Sequence, residues 1–375
     1  MDNGALFTDG SRLIMESLVQ AGSDAFVGYP ITPANLLYLY ASRRFTHFTA
    51  APDEITTLQL MSGYAAAGRL PVTATSFPGF ALMLEGINMA FMMELPMVII
   101  LVQRLGPATG TATLGAQGDM NVLTGTLSGG MVLPSFGIST PVDCWEIPAR
   151  ALEVAVRYRT PVVILTSKEE VMTQFSLDPK ELKPVDRVKH NLYDSDEPYR
   201  PYEPGADMTP PFLPVTDNRH QVRLTASTHD RRGIIQNSSV EALENSMRLH
   251  HKVAGNVDHF TWYELDEQEG AGTLVMSYGI TAQASREAVV NLRNRGVRVS
   301  LLVAKTLLPV PPLYDDICAR YRRVVIAEEN LTGQYRQVMF GQRPPERISG
   351  VNQFGKMIMP ETIEEEVLKN EQAVS

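Results

Sequence analysis

Residues 96–107 read P-M-V-I-I-L-V-Q-R-L-G-P, an apolar run closed by proline at one end and by glycine and proline at the other. From Val98 to Val102 no residue is polar, and all but Leu101 are β-branched. A strand of this composition is buried on both sides, as in a parallel sheet with helices over both faces. The same beat recurs outward from it. Upstream, strand patterns at residues 25–28, 46–49 and 72–75 alternate with helical ones at about residues 33–44, 54–67 and 80–92. Further upstream, Asp9 or Ser11 can cap a helix whose Leu13, Ile14, Leu18 and Ala21 recur near a 3.6 period. Gly22 stands where a left-handed cap belongs. Downstream, a helix over residues 141–158, despite Pro148, leads into a strand at 162–166. Alternation of this kind predicts an α/β fold built on a parallel sheet.

Between residues 177 and 215 the periodicity fails, and prolines crowd at 179, 184, 198, 201, 204, 210, 211 and 214. Such a stretch predicts a connector or an extended surface excursion and not a core element. The α/β signal resumes with a strand at 273–277, a helix at 282–295 and strands at 297–303 and 324–327. The expected organisation is a first domain over residues 1–185, a connector over 186–267 and a second, smaller α/β domain over 268–375.

Composition mostly excludes. A chain of 375 residues, 44% hydrophobic and 20% charged, has the length of two ordinary domains. Its only cysteines are Cys144 and Cys318, whereas an iron–sulfur cluster or a structural zinc takes about four Cys or Cys/His ligands. The chain therefore cannot ligate a cluster by itself, and two distant thiols give no disulfide framework. A net charge of −9 without a basic stripe argues against nucleic-acid binding. The most apolar stretch, residues 89–102, carries Glu94 and Pro96 and falls short of the ~20 apolar residues that span a bilayer. Residues 1–10 hold Asp2 and Asp9 and no basic region, so no secretory signal is expected and a cytoplasmic location is.

No phosphate-binding P-loop, no G-x-G-x-x-G after a strand and no G-x-S-x-G elbow occurs. The histidines at 47, 190, 220, 229, 250, 251 and 259 lack metal-ligand spacing, and no protein metal site is expected. What remains is a set of loops at the ends of the first domain's predicted strands, where an open parallel sheet places its ligands. They are residues 28–33 (G-Y-P-I-T-P), 52–54 (P-D-E), 75–80 (T-S-F-P-G-F) and 103–107 (Q-R-L-G-P). With residues 109–119 (T-G-T-A-T-L-G-A-Q-G-D), 158–165 (Y-R-T-P-V-V-I-L), 225–233 (T-A-S-T-H-D-R-R-G) and 328–334 (E-E-N-L-T-G-Q), they follow one order over nearly the whole chain. This ordered set resembles the alpha subunit of the thiamine-diphosphate-dependent 2-oxoacid:ferredoxin oxidoreductases, especially the 2-oxoglutarate type.

The resemblance implies a pyrimidine-binding domain, with a parallel sheet and helices on both faces, followed by a transketolase C-terminal-like α/β domain. It assigns Glu54, nine residues before Gly63, the catalytic role: a carboxyl group hydrogen-bonded to the cofactor's aminopyrimidine favours the tautomer that takes up a proton. Such a carboxyl sits in a cleft that suits proton exchange near neutrality. Locally, Asp53-Glu54 is also what an ordinary acidic first turn of a helix looks like. Thr32 matches a threonine that contacts the 2-oxoacid substrate, with a rigid turn between Pro30 and Pro33 as the alternative. Arg104 would offer the substrate carboxylate a planar fork that lysine cannot copy, and otherwise is a solvated arginine. Tyr29, Pro30, Ser76, Pro78 and Gly79 would shape the wall around the cofactor ring.

The chain also departs from the family's pattern. Residues 127–131 (L-S-G-G-M) lack the His and Asp common there, Pro52 replaces a glutamate, and Phe77 replaces a glycine. The Gly-Asp-Gly…Asn motif that carries diphosphate and Mg²⁺ is absent, and Gly118-Asp119-Met120-Asn121 echoes it with the wrong third residue and spacing. A hard cation wants carboxylate and carbonyl oxygens beside phosphate. The resemblance therefore implies a beta subunit holding Mg²⁺, the diphosphate end and a 4Fe-4S cluster, with ferredoxin, coenzyme A and a 2-oxoacid as further partners in a hetero-oligomer. Two other readings stay open: a non-oxidative thiamine-diphosphate decarboxylase or transferase subunit, and a non-catalytic assembly subunit. Residues Glu329, Asn330, Gly333 and Gln334 read equally as an interface loop or as a strand-to-helix turn.

Overall fold

A computed structural model describes residues 5–371; Asp2, quoted above, lies outside them. The run at residues 98–102 sits in strand Met97–Gln103, every residue of which is buried. It lies inside a seven-stranded sheet ordered Thr306–Leu308, Ser135–Gly137, Pro161–Ser167, Met97–Gln103, Pro71–Thr75, Ala25–Gly28 and His47–Ala50. All neighbours are parallel except the first pair, in which Thr306–Leu308 runs antiparallel to Ser135–Gly137. The edge strand therefore comes from the far end of the chain. A second, five-stranded sheet is ordered Ile348–Asn352, Arg323–Glu328, Thr273–Ser277, Val299–Ala304 and Tyr263–Asp266, the last strand antiparallel.

Local chemistry explains the helix ends. Asp9 accepts from the Arg12 N–H at 3.0 Å and opens helix Gly10–Ala21, which buries Leu13, Ile14, Leu18 and Ala21. Gly22, at φ 108°, closes it in the left-handed conformation. Helix Asp143–Arg157 holds Pro148 inside it and still buries a continuous apolar face against the helix at Gly10–Ala21.

The stretch at 177–215 is irregular, as its prolines dictate, yet it is not merely a surface excursion. Tyr202 and Phe212 are fully buried. The anchor is Arg159, itself 2% exposed, whose Nη1 donates to the carbonyls of Pro201 and Pro211 at 3.0 Å. Proline removes donors but leaves carbonyls, and a buried guanidinium collects them. Helix Val240–Ala254 also falls within the region read as a connector, as does strand Tyr263–Asp266, which joins the second sheet. The helix is pinned by ion pairs from Arg248 and Lys252 to Glu94, whose side chain has no exposure. Glu94 follows helix Phe77–Met92 in the left-handed region, at φ 53°. Among the described residues no helix is long and apolar enough to cross a membrane.

Candidate functional site

Four neighbouring strands, ending at Gln103, Thr75, Gly28 and Ala50, deliver four loops side by side along one edge of the larger sheet. The site residues quoted from the sequence lie on these loops or in the first turn of the helices that follow them, at the carboxyl ends where open parallel sheets bind ligands. Thr32 and Arg104, 72 positions apart in sequence, are brought into contact: Arg104 Nη1 donates to the Thr32 carbonyl at 2.6 Å. The Thr32 hydroxyl accepts from Asn35 Nδ2 at 3.1 Å and keeps its own O–H to donate. Arg104 is 6% exposed, and its Nε has no hydrogen-bond partner among the described residues. Tyr29 and Pro30 form the exposed outer rim of the same turn.

Glu54 opens helix Glu54–Ala66 but does not cap it. That task falls to Asp53, whose Oδ1 accepts from the Thr56 N–H at 2.7 Å, a bond that holds the Asp53 carboxyl below its ordinary value. The buried Glu54 side chain is left for other work. It turns toward the first turn of helix Phe77–Met92, where Gly79 permits the approach. A Cβ on Gly79 would stand 2.5 Å from Glu54 Oε1 and collide with Thr75 Oγ1. Farther along, Gly86 lets Leu58 close the same two helices together. A carboxylate near a helix N-terminus is favoured by the unpaired N–H groups there. Ser76 precedes that helix, and its Oγ is fully buried without a hydrogen-bond partner among the described residues, while Pro78 occupies the second helical position.

The set fits one end of an aminopyrimidine cofactor: a buried carboxylate, an orphaned hydroxyl and a glycine-lined wall, with no cluster of metal-ligating side chains among the described residues. Gly79→Ala tests this directly. Overpacking of this kind costs about 1–3 kcal/mol. Calorimetry of the assembled complex should show thiamine diphosphate binding weakened by at least as much as stability falls. A variant that binds the cofactor normally would separate Gly79 from the site.

Two residues escaped the sequence reading. Asp119 is 5% exposed and near Arg104; burial pushes its carboxyl up to about 7, against the pull of the Gln103 amide and the Arg104 charge. Gln117 enters the second half of the molecule: its Nε2 donates to the Tyr278 carbonyl at 2.7 Å, and its Oε1 accepts from the Thr281 hydroxyl at 2.5 Å and the Glu329 N–H at 2.9 Å. Asn330 Nδ2 donates to the Gln117 carbonyl at 3.1 Å, and Gln334 Oε1 accepts from the Asn121 N–H at 3.0 Å. Glu329, Asn330 and Gln334 thus join the two sheets' loops, while Gly333, at φ 70°, begins helix Gln334–Phe340. Glu329 is raised to about 7 by burial and accepts from the Ile358 N–H at 3.0 Å. Both segments were quoted from the sequence, but nothing local marks Gln117 as the partner of Glu329 and Asn330, more than 200 positions away.

The family described as "Pyruvate flavodoxin/ferredoxin oxidoreductase, thiamine diP-bdg" matches residues 16–249. The 2-oxoglutarate synthase subunit KorA of Methanocaldococcus jannaschii is 29% identical over 96% of this chain and 99% of its own length. Ketoisovalerate oxidoreductase subunit VorB of Methanothermobacter thermautotrophicus is 31% identical over 88% of this chain and 87% of its own. Among solved structures, a 2-oxoglutarate:ferredoxin oxidoreductase from Magnetococcus marinus superposes with a TM-score of 0.88 at 26% identity. That match covers 97% of this chain and 65% of that one. A split-gene transketolase superposes with a TM-score of 0.55 at 14% identity, a likeness of fold alone. A family match over more than half the chain and a relative above 30% identity lead to one conclusion: this chain belongs to the thiamine-diphosphate-binding pyruvate flavodoxin/ferredoxin oxidoreductase family.

Proposed function

We propose that this chain is the pyrimidine-holding alpha subunit of a 2-oxoacid:ferredoxin oxidoreductase acting on 2-oxoglutarate. It would convert the 2-oxoacid and coenzyme A to acyl-CoA and CO₂ while reducing ferredoxin. The observation that carries this reading is a pair of contacts interleaved over four neighbouring strand ends: Glu54 against Gly79, a carboxylate that can handle a proton, and Arg104 on Thr32, an anion grip. The Magnetococcus structure is described with 2-oxoglutarate, coenzyme A and succinyl-CoA bound, and several relatives are named for 2-oxoglutarate.

Thiamine diphosphate, when bound, supplies the carbon nucleophile and electron sink that decarboxylation of a 2-oxoacid requires. Glu54 holds and moves the proton at the pyrimidine end. Thr32 donates from its hydroxyl and Arg104 from its fork, which together orient the oxo and carboxylate oxygens. The diphosphate grip, Mg²⁺ and a 4Fe-4S cluster belong to a beta subunit, because two buried cysteines cannot hold a cluster and the chain lacks the diphosphate motif. Ferredoxin or a ferredoxin-like subunit takes the electrons, and the complex works in the cytoplasm.

Reconstitution with the beta subunit tests the reading. Viologen reduction should require both 2-oxoglutarate and coenzyme A and should be faster with 2-oxoglutarate than with the branched 3-methyl-2-oxobutanoate. CO₂ release without coenzyme A or an electron acceptor would identify a non-oxidative decarboxylase, and failure to bind thiamine diphosphate would identify an assembly subunit. In the same assay Arg104→Lys should raise KM for the 2-oxoacid about 10- to 100-fold, the worth of a charge-assisted bond. An unchanged KM would remove Arg104 from the substrate site.

A further inference from the structure

The function proposed above makes no use of Asp119. Its Oδ2 has no close hydrogen-bond partner among the described residues, although the Gln103 amide stands near enough to pull its carboxyl down, and Arg104 Nε beside them is buried and unmet. Buried polar atoms are nearly always satisfied, so a guanidinium N–H left unmet beside a carboxyl oxygen marks a place where a ligand makes the missing bond. The unmet donor suits a small acid that accepts from Arg104.

The groups that face Asp119 are few. Arg104 and Gln103 come from the end of strand Met97–Gln103, and the Tyr278 hydroxyl comes from the end of strand Thr273–Ser277. Arg104 is drawn down by burial and held up by the Asp119 charge, so the two side chains already sense each other. No direct ion pair joins them among the described residues, and the guanidinium's hydrogen bond goes instead to the Thr32 carbonyl.

We propose that Asp119 is a positioning residue which, as an anion, competes with the 2-oxoacid's carboxylate for Arg104 and, when neutral, yields the guanidinium to it. This rests on the 2-oxoacid reading above. Burial already brings the Asp119 carboxyl to about 7, so both forms are populated near neutrality. Bringing a second anion to Arg104 makes the neutral form of Asp119 the favoured one, and substrate binding must then take up a proton.

Two readouts test the proposal. In the assembled enzyme, KM for 2-oxoglutarate should rise several-fold as the pH climbs above about 7, with kcat little changed. In Asp119→Asn the profile should be flat, with KM below the parent's at high pH. Independently of turnover, calorimetric titration of the Glu54→Gln complex with 2-oxoglutarate, in two buffers of different ionisation enthalpy, should show proton uptake. The uptake should vanish in the Glu54→Gln/Asp119→Asn double variant. A flat parent profile, or uptake that survives loss of Asp119, overturns the inference while leaving the function intact. Turnover of no 2-oxoacid overturns the reading of function and this inference with it. Should the Asn variant fail to assemble, the parent's own KM profile and proton uptake still decide.

Discussion

Glu54→Gln in the assembled complex should lower 2-oxoglutarate-dependent viologen reduction by about 10²- to 10⁴-fold, the span a positioned proton-transfer group contributes. The change is nearly isosteric and removes only the ionisable function. Helix Glu54–Ala66 should survive it, because Asp53 provides the cap. Thermal unfolding of the variant should therefore match the parent's, and thiamine diphosphate should still bind, with turnover alone lost. Because the loss lies in the proton and not in substrate contacts, kcat should carry most of it and KM little. Turnover within about threefold of the parent would refute the role assigned to Glu54, and a collapse of stability would show that its carboxyl is structural.

The largest effect on stability is expected past the far end of helix Phe77–Met92, whose first turn Glu54 approaches. Glu94 accepts from Arg248 and, at 2.6 Å, from Lys252 Nζ, and all three side chains are buried. Glu94→Gln leaves two cations without their anion in the interior, and breaking such a pair costs about 3–5 kcal/mol. The midpoint of urea unfolding should fall accordingly. Burial alone would raise the Glu94 carboxyl; the charges of Arg248, Lys252 and Arg159 outweigh it and hold it at about 2, against an ordinary value of 4.5. A carboxyl depressed by folding stabilises fully above its unfolded value, and that contribution fades as pH falls through the folded one. Acid unfolding of the parent should therefore steepen below about pH 4.5, and Glu94→Gln should be less sensitive there. A Gln variant as stable as the parent would mean that the cluster is energetically neutral.

These two residues also show what a sequence discloses. The place of Glu54 at the head of a helix was legible, because an acidic pair after a strand end is a local signal, whereas the role proposed for it came only from the resemblance. The strand at residues 98–102 was legible because burial on both faces leaves its mark on every residue. Glu94 was not: its partners stand 154 and 158 positions away, and nothing in E-L-P announces them. Helix Val240–Ala254 was obscured for a different reason. Ala242, Leu249 and Val253 are buried beside Asn245, Arg248 and Lys252, while Val240, Leu243 and Met247 are exposed, so the inward face is not the one that apolar residues mark. Asp119 was quoted and passed over, since a buried acid and a solvated one are spelled alike.

The antiparallel strand Thr306–Leu308 has a consequence for the chain as a folding unit. Removing everything after residue 267 would bare Ser135–Gly137 as a raw sheet edge, with the Gln117 loop cut from its partners. Unprotected edges invite pairing between molecules. The first half expressed alone should accordingly aggregate, and the intact chain should unfold in one cooperative transition, its two sheets melting together although each has its own topology.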